Sequence, residues 1–301
     1  MTVAMTELRP RRVYPILALG LISFMLSPIL IRFAATAPAM AVAVWRTVFA
    51  ACLLAPVALP RIGPEVRRFS GRERVLILGA GVLLGLHFVA WIESLYHTTV
   101  ASASVLVWTN PLFMAVLGFF FLRERLTKSL AAGLAVALFG ALLLGWGDWS
   151  QPDAQTPNAL LGNSLALLAA LLVSVYLVIG RVVRQRYSWL AYVFPLYCTV
   201  AMTTLVMALA LDTPLLGYDA SIYGLCVLMA LGPSIMGHGA FNYAVRYFPV
   251  ALLGVLSLLE PVGASIAAFV LFDETPGWLA LAGMVLVLAG VSFSMRPKKA
   301  P

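Results

Sequence analysis

The chain has 301 residues, 62% of them apolar and only 11% charged, whereas an ordinary soluble domain has roughly 45–50% and about 25%. So few charges cannot clothe a water-soluble surface of this size, which excludes a cytosolic globule, a disordered chain and a disulfide scaffold. The formal charge of +8 comes from 20 Lys and Arg against 12 Asp and Glu. These basic residues sit in short groups between apolar runs, so nucleic acid is not an expected partner.

A hydrocarbon core about 30 Å thick requires about 20 apolar residues per helix. Stretches of that length recur at 13–32, 38–59, 75–96, 100–121, 127–146, 158–180, 189–211, 220–244, 250–272 and 277–295. None alternates as a membrane barrel strand would. The predicted fold class is all-α integral membrane, with ten transmembrane helices in one bundle bathed by a lipid bilayer. The first stretch mimics a signal peptide, with Arg11 and Arg12 ahead of it and Ala35-Thr36-Ala37 after it. Its run is too long for an h-region, however, and Arg32 precedes the cleavage site, so it is read as a retained helix.

Placing the N-terminus in the cytoplasm puts 18 of the 20 basic residues on that side. They are Arg9, Arg11, Arg12; Arg61, Arg67, Arg68, Arg72, Arg74; Arg123, Arg125, Lys128; Arg181, Arg184, Arg186; Arg246; and Arg296, Lys298, Lys299. The opposite connections carry Asp148, Asp153, Asp212, Asp219, Asp273 and Glu274 and no Lys or Arg. This charge bias predicts a multi-pass membrane protein with both termini cytoplasmic. The basic 61–74 connection also suits anionic headgroups, although topology alone accounts for it.

Shifting the sequence on itself by 150 residues aligns Ala101–Gly140 with Ala251–Gly290, with ten of 40 positions identical. The matches include Pro111/Pro261, Phe119/Phe269, Glu124/Glu274, Gly133/Gly283 and Gly140/Gly290. Five spans per half is an odd number, so the second half enters the membrane from the opposite side. The predicted organisation is two inverted repeats, 13–149 and 158–296. Inverted repeats are typical of secondary transporters, which bind substrate near the midplane between the repeats.

Each half ends in a Pro-bearing helix, an acidic turn and a Gly-rich helix. These are Asn110-Pro111 through Phe121-Leu122-Arg123-Glu124-Arg125 and Gly133 to Gly140, then Leu259-Glu260-Pro261 through Phe272-Asp273-Glu274 and Gly283 to Gly290. That layout resembles the EamA domains of the drug/metabolite transporter superfamily, and Trp45-Arg46 resembles the recurrent Arg of the family's first half. The aromatic-rich interior looks most like that of bacterial aromatic amino-acid exporters. One departure is Leu196, where the second half has no counterpart of Arg46.

A charge at the bilayer centre costs about 2.5–3.5 kcal/mol on insertion scales, so it persists only when paired or facing water. Arg46 is expected to be neutralised by Glu93 or Glu260, either as a lock between helices or as a gating pair. Asn110 and Glu260 are repeat mates, each followed by a proline, Pro111 and Pro261. The freed carbonyls suit a water-filled cavity and bending points, although static kinks fit as well. The third span places His87, Trp91 and Ser94 on one face, and the eighth does so for His238, Phe241 and Asn242. Trp91 and Phe241 are 150 residues apart, which sets them on opposite walls of one cavity. Trp108 and Tyr176 add aromatic surface with polar tips. These residues are the candidate substrate site; core packing for the aromatics and interhelical hydrogen bonds for the two histidines are the bland alternatives. His97 falls in an outer turn and is given no role. Gly81-xxx-Gly85 and Ala264-xxx-Ala268 are read as packing contacts.

Cys52, Cys198 and Cys226 lie in apolar segments without metal-ligand spacing, so neither metal nor cofactor is expected. Walker, dinucleotide, HExxH and GxSxG motifs are absent, which points away from an ATP engine and an enzyme. The expected function is non-ATP-driven export of small metabolites, above all aromatic or other neutral amino acids. Organic cations, drugs or a sugar nucleotide are alternative cargoes, and an intramembrane lipid-modifying enzyme is a more distant one. Monomer and homodimer are both open.

Overall fold

The computed structural model describes residues 10–98, 100–149, 158–272 and 277–295, and among them the chain is all α-helical apart from one π segment. The first span is α1 (Val13–Met25) and α2 (Ser27–Phe33), broken at Leu26 just ahead of Pro28. Spans two and three are α3 (Ala39–Val66) and α4 (Gly71–His97). Span four is α5 (Val100–Val107) plus α6 (Asn110–Leu122), and span five is α7 (Lys128–Trp149). Spans six and seven are α8 (Ala159–Val183) and α9 (Trp189–Ala210). Span eight runs through α10 (Ala220–Met229), the π segment Ala230–His238 and α11 (Gly239–Ala244). Span nine is α12 (Val250–Ser257) plus α13 (Leu259–Phe272), and span ten is α14 (Trp278–Ser294).

Seven of these spans are long and apolar enough to cross a bilayer by themselves, and Lys128–Leu143, Val250–Gly263 and Trp278–Ser294 are shorter apolar helices. With the twofold repeat, this is a ten-helix, two-repeat membrane protein. Local signals set the ends: Ser70 and Glu73 form a reciprocal capping box at the start of α4, and the Ser188 hydroxyl accepts from the Ala191 N–H at the start of α9. Arg123 adopts a left-handed conformation (φ 55°) that ends α6 and turns the chain toward α7. The second span outruns the expected 38–59: α3 continues to Val66 and takes Arg61 into the helix. Its prolines, Pro56, Pro60 and Pro64, are four residues apart, so the missing N–H groups fall along one face and the other face keeps its bonds.

The helix contacts obey the repeat. Spans five and ten (α7 with α14), two and seven (α3 with α9), and four and nine (α6 with α12) are repeat mates, and each pair packs together. The third span packs on the sixth and seventh as the eighth packs on the first and second. Backbones approach closely at α7 and α14, where a Cβ on Gly133 would sit 2.5 Å from the Gly290 carbonyl oxygen. Gly81 serves likewise between α4 and α9, so it packs helices as expected. The side chains of Ala264 and Ala268 lie outside the described residues, as do Asp153, Asp273, Glu274, Arg9, Arg296, Lys298, Lys299 and the side chain of Asp148.

Candidate functional site

Regular helix is lost at matching places in the two halves. In span four it stops after Val107 and resumes at Asn110; in span nine it stops after Ser257, the repeat mate of Val107, and resumes at Leu259. The prolines at 111 and 261 have no N–H to give to the preceding turn, which opens the backbone at the same depth twice. The π segment, containing Gly232-Pro233 and Gly237, shifts the register of span eight and turns Ser234 and His238 inward, both buried.

A cavity of about 60 Å³, room for roughly four waters, lies between these breaks. Repeat mates line it as pairs: Ser27 with Leu177, Phe88 with His238, Trp91 with Phe241, Val107 with Ser257, and Asn110 with Glu260. The internal twofold therefore passes through the cavity. Arg46, His87 and Trp108 complete its polar lining, and Phe24 and Met114 add apolar wall.

Arg46 is 1% exposed. Its Nε donates to Ser234 Oγ at 2.8 Å, and its guanidinium carbon lies 4.2 Å from the centroid of Phe88. These two contacts fix the plane of the fork while Nη1 remains buried without a partner. Of the two acids expected to neutralise Arg46, Glu93 is engaged elsewhere, and Glu260 acts on it through the field of the cavity without direct contact. Glu93 pairs with His97 at 3.1 Å on its own helix, one turn away near the outer rim, where both side chains are partly exposed. Glu260 shares the cavity with Arg46, but no salt bridge joins them. The carboxylate of Glu260 makes no hydrogen bond among the described residues.

His87 Nδ1 lies 2.9 Å from the Ala169 carbonyl oxygen, which only accepts, so this nitrogen carries the proton and Nε2 of the neutral ring is an acceptor. His238 sits among Phe24, Phe88 and His87, with ring centroids 4.8, 5.0 and 5.7 Å away. Its Nδ1 is 2.9 Å from the Tyr176 hydroxyl. Tyr176 therefore stands behind His238 rather than on the cavity wall. Asn242 also lies off the cavity, fully buried; it faces the Tyr176 hydroxyl without a well-formed hydrogen bond. Ser257 Oγ donates to Asn110 Oδ1 at 3.2 Å, tying the two helix breaks together. The Trp108 indole N–H, also buried, has no partner. Of the sequence-based candidates, His87, Trp91, Trp108, Asn110, His238, Phe241, Glu260 and Arg46 gather on this cavity. Pro111 and Pro261 sit at the helix breaks, and Glu93 stands apart. Sequence reasoning missed Phe24, Ser27, Phe88, Ser234 and Ser257. Gly232-Pro233 signalled irregular backbone but not the register that brings Ser234 to Arg46.

The two ends of the bundle are closed differently. At the Arg-rich end, Glu124 accepts from Arg181 Nε at 3.2 Å and from the Val250 N–H at 3.0 Å, and Arg181 Nη1 donates to the carbonyls of Val245 and Arg246. Arg184 donates to the carbonyls of Asn242 and Tyr187. Glu73 accepts from Arg186 and Tyr187, and Glu65 accepts from the Ser188 N–H. Burial raises the Glu124 carboxyl above its ordinary range against the opposing pull of Arg181. Burial also brings Arg184 down to about 10, which leaves it charged at neutral pH. At the opposite end the ties between helices among the described residues are neutral: Tyr96 hydroxyl to the Ala37 carbonyl, Thr98 to Asn163, and Trp45 to the Leu215 carbonyl.

A ten-helix bundle folded twice around a central cavity that carries a few polar groups is the architecture of a secondary transporter. The chain belongs to the EamA-like transporter family of the drug/metabolite transporter superfamily, which it matches twice, over residues 12–146 and 160–296; the resemblance seen in the sequence is borne out. It is 31% identical over 204 residues to a probable terminal-alkyne amino-acid exporter of Streptantibioticus cattleyicolor, covering 65% of this chain and 64% of that protein. It is 25% identical over 237 residues to a probable amino-acid metabolite efflux pump of Salmonella typhimurium, covering 74% and 78%. A third relative, the transporter YetK of Bacillus subtilis, is 23% identical over 75% of this chain and 69% of its own length. A solved crystal structure shares the fold with a TM-score of 0.78 at 20% identity, covering 95% of this chain and 97% of that one.

Proposed function

We propose that this transporter exports aromatic or other neutral amino acids across a bacterial-type inner membrane by alternating access. The Arg-rich end and both termini face the cytoplasm. The observation that carries this reading is a cavity lined by repeat mates, between two helices that break at matching residues. A cavity on an internal twofold is reached from either side by rocking one repeat against the other, and the breaks at 107–110 and 257–259 are the bending points. In this state the cytoplasmic end is the one held by ion pairs, so the next step of the cycle must undo Glu124–Arg181 and its neighbours. Repeats 13–149 and 158–296 are the bodies that move. The walls of Phe24, Phe88, Trp91, Trp108 and Phe241 suit a flat apolar side chain. Two relatives are named for amino-acid export, in agreement.

The unpaired carboxylate of Glu260 among aromatic rings favours a lipophilic organic cation as the second reading. Reconstitution of the purified protein into liposomes decides between them. Saturable efflux of labelled phenylalanine or tryptophan, with no matching flux of lipophilic cations, is the expected result. Cation flux without amino-acid flux would overturn it. Repeating the assay with and without a proton gradient measures whether transport is coupled or facilitated.

A further inference from the structure

The cavity holds one permanent cation and one acid, and they come from different halves. Arg46 projects from α3, where the repeat mate is Leu196; Glu260 projects from α13, where the mate is Asn110. Neither group is duplicated by the repeat, and although each feels the other's field no salt bridge joins them. A buried guanidinium with no counter-ion in contact is costly unless a group of complementary charge comes to it.

The hydrogen-bonding capacity left over is also sorted. On the cavity, Arg46 Nη1 and Trp108 Nε1 are buried donors with no acceptor. A buried donor left unmade costs about 1–3 kcal/mol, so an acceptor from a ligand is the natural partner. Ser234 and Phe88 already hold the guanidinium by its Nε edge and its face, which leaves its outer edge for a planar oxyanion. Glu260 is the converse, an acceptor with no donor.

From this arrangement we infer that the cavity reads a zwitterion end to end: Arg46, with the Trp108 indole N–H, receives the α-carboxylate, and Glu260 receives the α-ammonium. The inference rests on the amino-acid reading above and assigns its recognition chemistry. Each repeat contributes one half of the recognition, so the site is complete only while both repeats close on it. An α-amino acid satisfies both charges at once, whereas an amine or a carboxylic acid satisfies one and leaves the other buried and alone.

The test uses the purified full-length protein in detergent and three ligands of one shape: L-phenylalanine, 2-phenylethylamine and 3-phenylpropionate. Apparent Kd is read from heat stabilisation, which needs no label and is blind to leakage through bilayers. The wild type should prefer phenylalanine to either analogue by at least about tenfold, because a site built for a polar group rejects the ligand that lacks it. Glu260→Gln should erase the preference over 3-phenylpropionate and keep that over 2-phenylethylamine; Arg46→Gln should do the reverse. Wild-type binding of either analogue as tight as that of phenylalanine overturns the assignment without any variant, so it stays open to refutation even if Arg46→Gln does not fold. Parallel weakening of both analogues in both variants overturns it too. Phenylalanine binding with failed discrimination sinks only this assignment, whereas no phenylalanine binding at all sinks the amino-acid reading with it.

Discussion

The two halves of the chain share a helix plan and differ in chemistry. Their mates pack on one another at α7 with α14 and at α3 with α9, and both break ahead of a proline. Yet along the cavity nearly every mate pair is unlike: Ser27 faces Leu177, His238 faces Phe88, Ser257 faces Val107, and Glu260 faces Asn110. Symmetry governs the scaffold, because in the alternating access proposed above a twofold would make the inward and outward states nearly equal in packing. Asymmetry governs the site, because a symmetric cavity would carry like charges against each other or none.

The most damaging way to break this comparison strikes the shared scaffold. A Cβ at Gly290 would lie 2.5 Å from the Ala137 nitrogen and 2.6 Å from the Gly133 oxygen, and one at its repeat mate Gly140 would lie 2.7 Å from the matching Val287 nitrogen and Gly283 oxygen. Gly290→Val and Gly140→Val should each destabilise by about 3 kcal/mol or more, since backbone cannot yield as a side chain can. Thermal melts and gel filtration in detergent should show equal damage from either side. Gly224→Val, with nothing within 4 Å of its Cβ position, should be nearly silent. Unequal damage at 140 and 290 would mean that the scaffold is less symmetric than its contacts.

Next in size is an exchange across the twofold. Asn110→Glu combined with Glu260→Asn keeps the composition of the cavity and moves its acid to the other wall. Phenylalanine efflux from liposomes should fall at least about tenfold, since the carboxylate no longer stands opposite Arg46 in the required sense. Efflux at the wild-type rate would make the halves chemically interchangeable.

A smaller effect is expected behind the cavity. Tyr176 is fully buried with its hydroxyl 2.9 Å from His238 Nδ1, and its repeat mate Leu26 has no such function. Tyr176→Phe removes one buried hydrogen bond, about 0.5–1.5 kcal/mol. A few-fold rise in the concentration for half-maximal efflux, with protein yield unchanged, is the expected outcome. Loss of folded protein would instead make Tyr176 a packing residue.

The symmetric part of the molecule was the legible part. Span count, the proline breaks and the placing of Trp91 and Phe241 on one cavity follow from period and offset alone, and the chain reproduces them. Faces were harder to read. A membrane helix is apolar toward lipid and core alike, so Phe24 and Phe88 on the cavity look like any other phenylalanine. Ser234 reaches Arg46 through a π segment whose register no 3.6-residue wheel describes. Glu93 was misjudged by depth, although His97 four residues on offered the i, i+4 partner it takes. Tyr176 and Asn242 were placed on the right helices but one layer too shallow.

The finest expected difference concerns Glu124, whose mate Glu274 lies outside the described residues. In the latched state its carboxyl is raised by burial, whereas an unlatched, solvated Glu titrates near its ordinary value of about 4.3. The latched state therefore takes up a proton at higher pH than the unlatched one. Acidification from neutrality toward the ordinary carboxylate range should thus favour the latched state, the gain saturating once the ordinary value is passed. Glu124→Gln holds the group neutral throughout and removes that response. The probe is the thiol of an Ala244→Cys substitution, in a chain whose own cysteines are replaced, at a position buried on α11 beside the latch. Its labelling rate in the Glu124 protein, divided by that in the Gln variant, should be about twofold lower at pH 5.5 than at pH 7.5, because the Gln variant cancels the thiol's own pH dependence. A ratio that does not move leaves Glu124 as a static tie between α6 and α12, and a ratio that rises on acidification reverses the sign of the latch.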